Sequence, residues 1–192
     1  MMQESSHERR RPHRVVVIVD ENSNPFELGC ATEVFGLRRP EIGRELYDFH
    51  LCSPEPRTLM RDGFFTLTGV AELALADTAD TLIVPNRPDV EVPRRPAVLD
   101  AVRRAHGRGA RLVGFCSGAF TLAEAGVLDG RRATAHWQWA DSFRAASPAY
   151  GSSRTCCSST TATSSRRRGA PPRSIWGCMW CAGTTARRSP TR

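Results

Sequence analysis

The stretch Arg111-Leu112-Val113-Gly114-Phe115-Cys116-Ser117-Gly118-Ala119-Phe120-Thr121-Leu122 decides the fold. A short apolar run ends in Gly-Phe-Cys, and small and apolar residues suited to a helix follow. Continuous apolar runs of this kind are strands buried on both faces. The lone cysteine sits where strand gives way to helix. That is the plan of a nucleophile elbow with Cys in place of Ser. The sharp turn lifts the side chain clear of the sheet, and flanking glycines let the backbone approach closely. The helix start favours a thiolate, and backbone N–H groups there, such as that of Ser117, are placed to hold an oxyanion. The competing reading is a buried structural cysteine, the usual fate of a free thiol.

Working outward, strands and helices alternate. Arg14-Val15-Val16-Val17-Ile18-Val19 is a β-branched run, and Thr81-Leu82-Ile83-Val84 is another, halted by Pro85. Tyr47–Cys52 reads as a strand, and Phe64–Leu67 as a short strand or hairpin arm. Pro25 suits the first turn of a helix running to about Leu37, with Phe26, Leu28, Ala31, Val34 and Phe35 on its apolar face. Leu73–Ala76 suits a helical turn. Pro96–Gly107, Ser117–Ala125 and Gln138–Ala146 complete the helices. The alternation predicts an α/β fold, a flavodoxin-like open and mostly parallel sheet with helices on both faces. Ligands in such sheets bind beyond the carboxyl ends of the strands, which is where Cys116 falls.

Charge divides the chain. Its formal net charge is +7, and all 27 basic residues are arginine. Residues 151–192 hold eight of them and no acid, which leaves −1 for the rest. A uniformly basic nucleic-acid binder is therefore excluded. The tail also carries 15 Ser or Thr and four of the seven cysteines, with no apolar period. Such composition suits disorder. The expected organisation is a disordered N-terminus over 1–13, an α/β domain over 14–149 that is incomplete at its C-terminal end, and a basic disordered tail over 150–192.

The tail makes more sense out of frame. Ile175-Trp176-Gly177-Cys178-Met179-Trp180-Cys181 has nearly fixed codons. Read from the third base of Ile175, they encode Leu or Met, Gly, an aliphatic residue, His or Tyr, then Val-Val. The same shift through Thr155–Ser165 permits two apolar runs around Asp-Asp-Gly-Asp, a turn signature. A frameshift near 148–151 is the expected cause. It demotes Cys178–Cys181, Cys156-Cys157 and Arg166-Arg167-Arg168 as functional motifs. No second Cys pair stands at zinc spacing, and no metal or other cofactor is expected.

Two residues outside the elbow join the candidate site. His136 follows Cys116 by twenty residues and is a candidate to orient or deprotonate it; the plain alternative is a solvated histidine. Glu27 follows the first strand at the same edge of the sheet, where a carboxyl can hydrogen-bond the thiolate. A solvated helix-start glutamate is the plain alternative.

These residues carry a resemblance. The first strand with Pro25-Phe26-Glu27-Leu28, the Gly-Phe-Cys116-Ser-Gly elbow and the step to His136 resemble the DJ/PfpI superfamily, with its class I glutamine amidotransferase-like fold. Glu33-Val34-Phe35-Gly36, Gly118–Gly126, Leu128–Thr134 and His136-Trp137 resemble the N-terminal domain of AraC-type transcriptional regulators. The resemblance spans roughly 14–147. It implies that Cys116, Glu27 and His136 form the catalytic or sensing centre, with Ser117, Gly118 and Asn86 contacting a ligand or oxyanion. Asn86-Arg87 stands where enzymatic members often carry Gly-Gly, which disfavours hydrolysis.

The implied function is a ligand-sensing domain of an AraC-type regulator, truncated so that specific DNA binding is lost. No helix-turn-helix pattern is legible in residues 1–150. The alternative is a stand-alone cysteine-dependent hydrolase, amidase or hydratase of the PfpI type. The implied partner is a small-molecule effector, with a homodimer as candidate assembly and no membrane or specific nucleic-acid contact. The charged N-terminus lacks the apolar core of a secretory signal, so a cytoplasmic location is expected.

Overall fold

The computed structural model describes residues 11–86, 89–129, 132–133 and 135–146, and the backbone of 151–152, 160–163 and 173–177. The first strand is β1 (His13–Ile18), followed by helix α1 (Pro25–Ala31). Asn24 caps α1, its Oδ1 accepting from the Phe26 N–H at 3.1 Å. The helix expected to reach Leu37 changes pitch at Thr32, and Thr32–Gly36 is a π-helical turn. Gly36 then abuts Phe49, whose ring a Cβ there would meet at 2.8 Å.

Strand β2 (Tyr47–Ser53) lies parallel to β1. The segment read as a short strand or hairpin arm holds β4 (Thr66–Thr68), the second arm of a hairpin whose first arm is β3 (Arg57–Leu59). Strand β5 (Ala71–Glu72) adds two residues to the β2 edge, and a 3₁₀ turn covers Leu73–Thr78. Then come β6 (Thr81–Val84), α2 (Pro96–Arg108), β7 (Arg111–Gly114) and α3 (Gly118–Glu124). A small parallel pair joins β8 (Arg132–Ala133) to β9 (Gly151–Ser152), with α4 (Ala140–Ala146) between them.

The sheet order is β10-β11-β7-β6-β1-β2-β5, where β10 is Thr160–Thr163 and β11 is Arg173–Gly177. Strand β11 runs parallel to β7, with Ile175 opposite Leu112, and β10 returns antiparallel to it. These segments correct the expectation of a disordered tail at their positions. The physical reason is the open flank of β7: a buried parallel strand leaves its backbone donors and acceptors unmatched until another strand covers them. The rest of the tail, with its Cys and Arg clusters, lies outside the described residues, as does the N-terminus to residue 10.

Both faces of the sheet are buried, as the continuous apolar runs require. Val16, Ile18, Leu82, Val84 and Leu112 pack on one side with Val98, Val102 and Ala105 of α2 and with Phe120 and Leu122 of α3. Phe120 meets Phe143 of α4 edge to face at 5.0 Å. On the other side Val15, Val17 and Ile83 join Ala31 and Phe115. The period of two along β1 and β6 thus feeds two separate cores.

The chain leaves β1 toward β2 on one side and returns to β6 on the other. Connections after β1 and after β6 therefore diverge, opening a crevice at their carboxyl ends. That is the topological switch point where open α/β sheets take ligands.

Candidate functional site

The crevice is built on the segment Val84-Pro85-Asn86. On its β1 side stands Glu27, in the first turn of α1, whose Oε2 accepts from the Asn86 backbone N–H at 2.7 Å. On its β7 side lies the elbow. A Cβ on Gly118 would meet the carbonyl oxygens of Val84 at 2.6 Å and Pro85 at 2.8 Å. Only a residue without a side chain lets the elbow settle on this segment, so the glycine is required by close approach. Glu27 and the elbow are thus two walls on one three-residue strip.

Cys116 adopts a left-handed backbone, φ 49°. A non-glycine residue held there stores about 1–3 kcal/mol. The tight turn is closed by the Gly118 N–H donating to the Phe115 carbonyl at 2.6 Å. Cys116 itself is part-exposed, whereas Ser117 is buried. Cys52, in the core, is the contrast: burial pushes its thiol up to about 12.

Two backbone donors at the site are engaged within the protein. The Gly118 N–H is committed to Phe115 and the Asn86 N–H to Glu27. Neither is left to hold an oxyanion in this structure. Gly118 serves by lacking a side chain, and Asn86 by gripping the acid.

Burial raises the Glu27 carboxyl above the ordinary glutamate range; the Asn86 hydrogen bond and the charge of Arg61 pull it back. Desolvation is the larger effect, which favours the protonated acid that an elbow thiolate would use as a donor. His136 lies ahead of α4. Its Nδ1 accepts from the Gln138 N–H at 3.3 Å, and its carbonyl accepts from the Trp139 N–H at 2.8 Å. These bonds tie His136 to its own turn.

Beneath the strip lies a buried cation that the sequence reading passed over. Arg94 is 8% exposed and reaches Asp20, 4% exposed, at 3.3 Å. It also donates to the Asn86 carbonyl at 3.3 Å and to Thr121 Oγ1 at 3.2 Å, and its backbone N–H reaches Glu124 Oε1 at 3.0 Å. One guanidinium so joins the exits of β1 and β6 to α3. An arginine in Pro93-Arg94-Arg95 gave no sign of burial, because nothing local marks it. An open cleft lined in part by Phe35, Arg44 and Tyr47 lies at the opposite, amino-terminal end of β2, away from Glu27. No described helix is long and apolar enough to cross a membrane, and the described residues hold no cluster suited to a metal ion.

An open parallel sheet with an elbow cysteine after one strand and an acid after another defines the class, and comparison places the chain within it. The DJ-1/PfpI family model matches residues 13–173, and the chain belongs to that family. An uncharacterized protein of the cpoL 5' region of Streptomyces lividans is 34% identical over 135 residues, 66% of this chain and 89% of that protein. The HTH-type transcriptional regulator CdhR of Pseudomonas aeruginosa is 31% identical over 104 residues, 54% of this chain but 31% of the regulator. The chain therefore spans about a third of CdhR. Among solved structures, an AraC family transcriptional regulator from Pseudomonas putida superposes with a TM-score of 0.63. It is 21% identical, and the match covers 87% of this chain and 83% of that one. The domain is thus of the kind found in helix-turn-helix regulators.

Two outcomes follow from the geometry. Cys116→Gly removes the left-handed strain that Cys116→Ala retains, so the glycine variant unfolds at higher urea, by about 1 kcal/mol. Equal stability of the two would mean that the turn carries no strain. For Glu27 the sign is set by its raised pKa. Between the ordinary and the raised value the folded state binds more protons than the unfolded, so stability falls as pH rises through that window. Glu27→Gln cannot ionise and loses this part of the fall. Urea midpoints of the two proteins should agree below about pH 4 and separate above it, the variant being the more stable.

Proposed function

We propose that this chain is the effector-sensing domain of an AraC-type regulator, taking a small molecule in the crevice between Glu27, Asn86 and Cys116. In this reading the domain senses the effector. The single observation that carries the reading is the commitment of the Asn86 and Gly118 N–H groups to acceptors within the protein. A cysteine hydrolase needs free donors aimed at the developing oxyanion. A sensor needs only a shaped, partly open pocket. Similarity to helix-turn-helix regulators supports the same choice. The strained, part-exposed Cys116 is the feature that favours the alternative, a cysteine-dependent hydrolase, amidase or hydratase.

A thermal-shift screen of the full chain against small metabolites separates the two. A sensor is stabilised by its effector, by about 2.7 kcal/mol at a hundred times Kd. The effector also slows alkylation of Cys116, read peptide by peptide in the mass spectrometer, while buried Cys52 stays unlabelled throughout. Turnover of an activated ester or amide, abolished by Cys116→Ser, would overturn the sensing reading.

A frameshift near residues 148–151 belongs to the same proposal. Strand β11 overlaps a stretch whose shifted frame encodes an apolar run, whereas β10 covers the codons whose shifted frame permits the Asp-Asp-Gly-Asp turn. The native strand at β11 would then be apolar, and the tail's Cys and Arg clusters would have no function. Resequencing the DNA across the junction tests this, and a clean read in the present frame removes the idea.

A further inference from the structure

Every polar atom of Asn86 but one is committed. Its N–H donates to Glu27 Oε2 at 2.7 Å, and its carbonyl accepts from Arg94 at 3.3 Å. Its side-chain Oδ1 accepts from the Asn24 N–H at 3.1 Å. The residue is 5% exposed. Its Nδ2, with two N–H groups, has no acceptor among the described residues. No fully buried side-chain nitrogen there goes unpaired, so Nδ2 reaches solvent through the small exposed part of the residue. The Asn24 contact also fixes which way the amide faces: turned over, its NH₂ would oppose the Asn24 N–H.

A residue anchored through both backbone polar groups, with its amide oxygen held by Asn24 and its amide donors idle, is a pre-set recognition group. Turning the amide away from a mismatched ligand would cost its bond from the Asn24 N–H. A ligand oxygen satisfies the donors, whereas a ligand ammonium leaves donor against donor. Resting on the sensing reading above, we propose that Asn86 Nδ2 is the specificity donor of the effector site, and that the effector presents a carbonyl or carboxylate oxygen to it. Glu27, bonded to the backbone N–H of the same residue, decides between the two forms. Its ionised carboxyl repels a carboxylate, and its protonated form does not.

The test uses the ¹⁵N-labelled full chain and follows the Asn86 side-chain amide resonances during titration with acetamide, acetate and ethylammonium. Acetamide, acetate or both should move the Asn86 amide and slow Cys116 alkylation, and ethylammonium should do neither. A response to acetamide alone assigns a carbonyl; a response to acetate as well assigns a carboxylate. Asn86→Asp keeps an acceptor for Asn24 and replaces the donors; its buried carboxyl near Glu27 should lower the melting temperature, and the variant should bind the responding probe at least about tenfold more weakly. Undiminished binding by this variant, or an amide that moves only with ethylammonium, overturns the assignment. The wild-type titration decides the matter even if the variant does not fold. If the probes slow Cys116 alkylation while the Asn86 amide stays still, the donor assignment fails and the sensing reading stands. If neither responds, both fail.

Discussion

The strip Val84-Pro85-Asn86 constrains everything around it. It continues β6 from the middle of the sheet, so its path is set by pairing with β1 and β7 on either side. Pro85 ends the strand without offering an N–H that would need a partner. The next residue then turns its N–H to Glu27. From the other side the elbow rests on the strip's carbonyl oxygens through Gly118. The acid and the thiol thus owe their placement to one short length of backbone between them. Neither is positioned by its own element alone.

What holds the strip is partly hidden from solvent. Arg94 and Asp20 are charged groups in a place where an unpaired charge would be costly, so each must be met by the other and by further hydrogen bonds. Arg94 meets this condition with the Asn86 carbonyl and Thr121 as additional acceptors. Such a pair adds little net stability over a well-packed apolar one. Its value lies in direction, since a planar guanidinium fixes several acceptors at set angles. It specifies where the exits of β1 and β6 stand relative to α3.

Much of this was legible in the sequence, and the limits have physical causes. β1, β6 and β7 declared themselves through unbroken apolar runs, because a strand buried on both faces has no polar alternation to blur it. Cys116 and Glu27 were found because strand-to-helix junctions at one sheet edge are marked by glycine and proline. The hairpin β3–β4 was half seen, since Arg57–Leu59 is too short and polar to register a period. The π-helical turn at Thr32–Gly36 leaves no trace in apolar spacing, for one extra residue shifts the period only slightly. Arg94 and the committed donors of Asn86 and Gly118 depend on contacts between distant segments, which composition does not encode. Strands β10 and β11 carry polar residues such as Thr160, Thr161, Arg173 and Ser174, so the pattern argued against them where backbone pairing asked for them.

Guanidinium groups keep their proton across the whole accessible pH range, whereas the carboxyl of Glu27 does not. The guanidinium of Arg94 under the strip therefore keeps its charge while the carboxyl of Glu27 can gain or lose one. The chamber can pass between neutral and anionic without any shift of the scaffold that frames it.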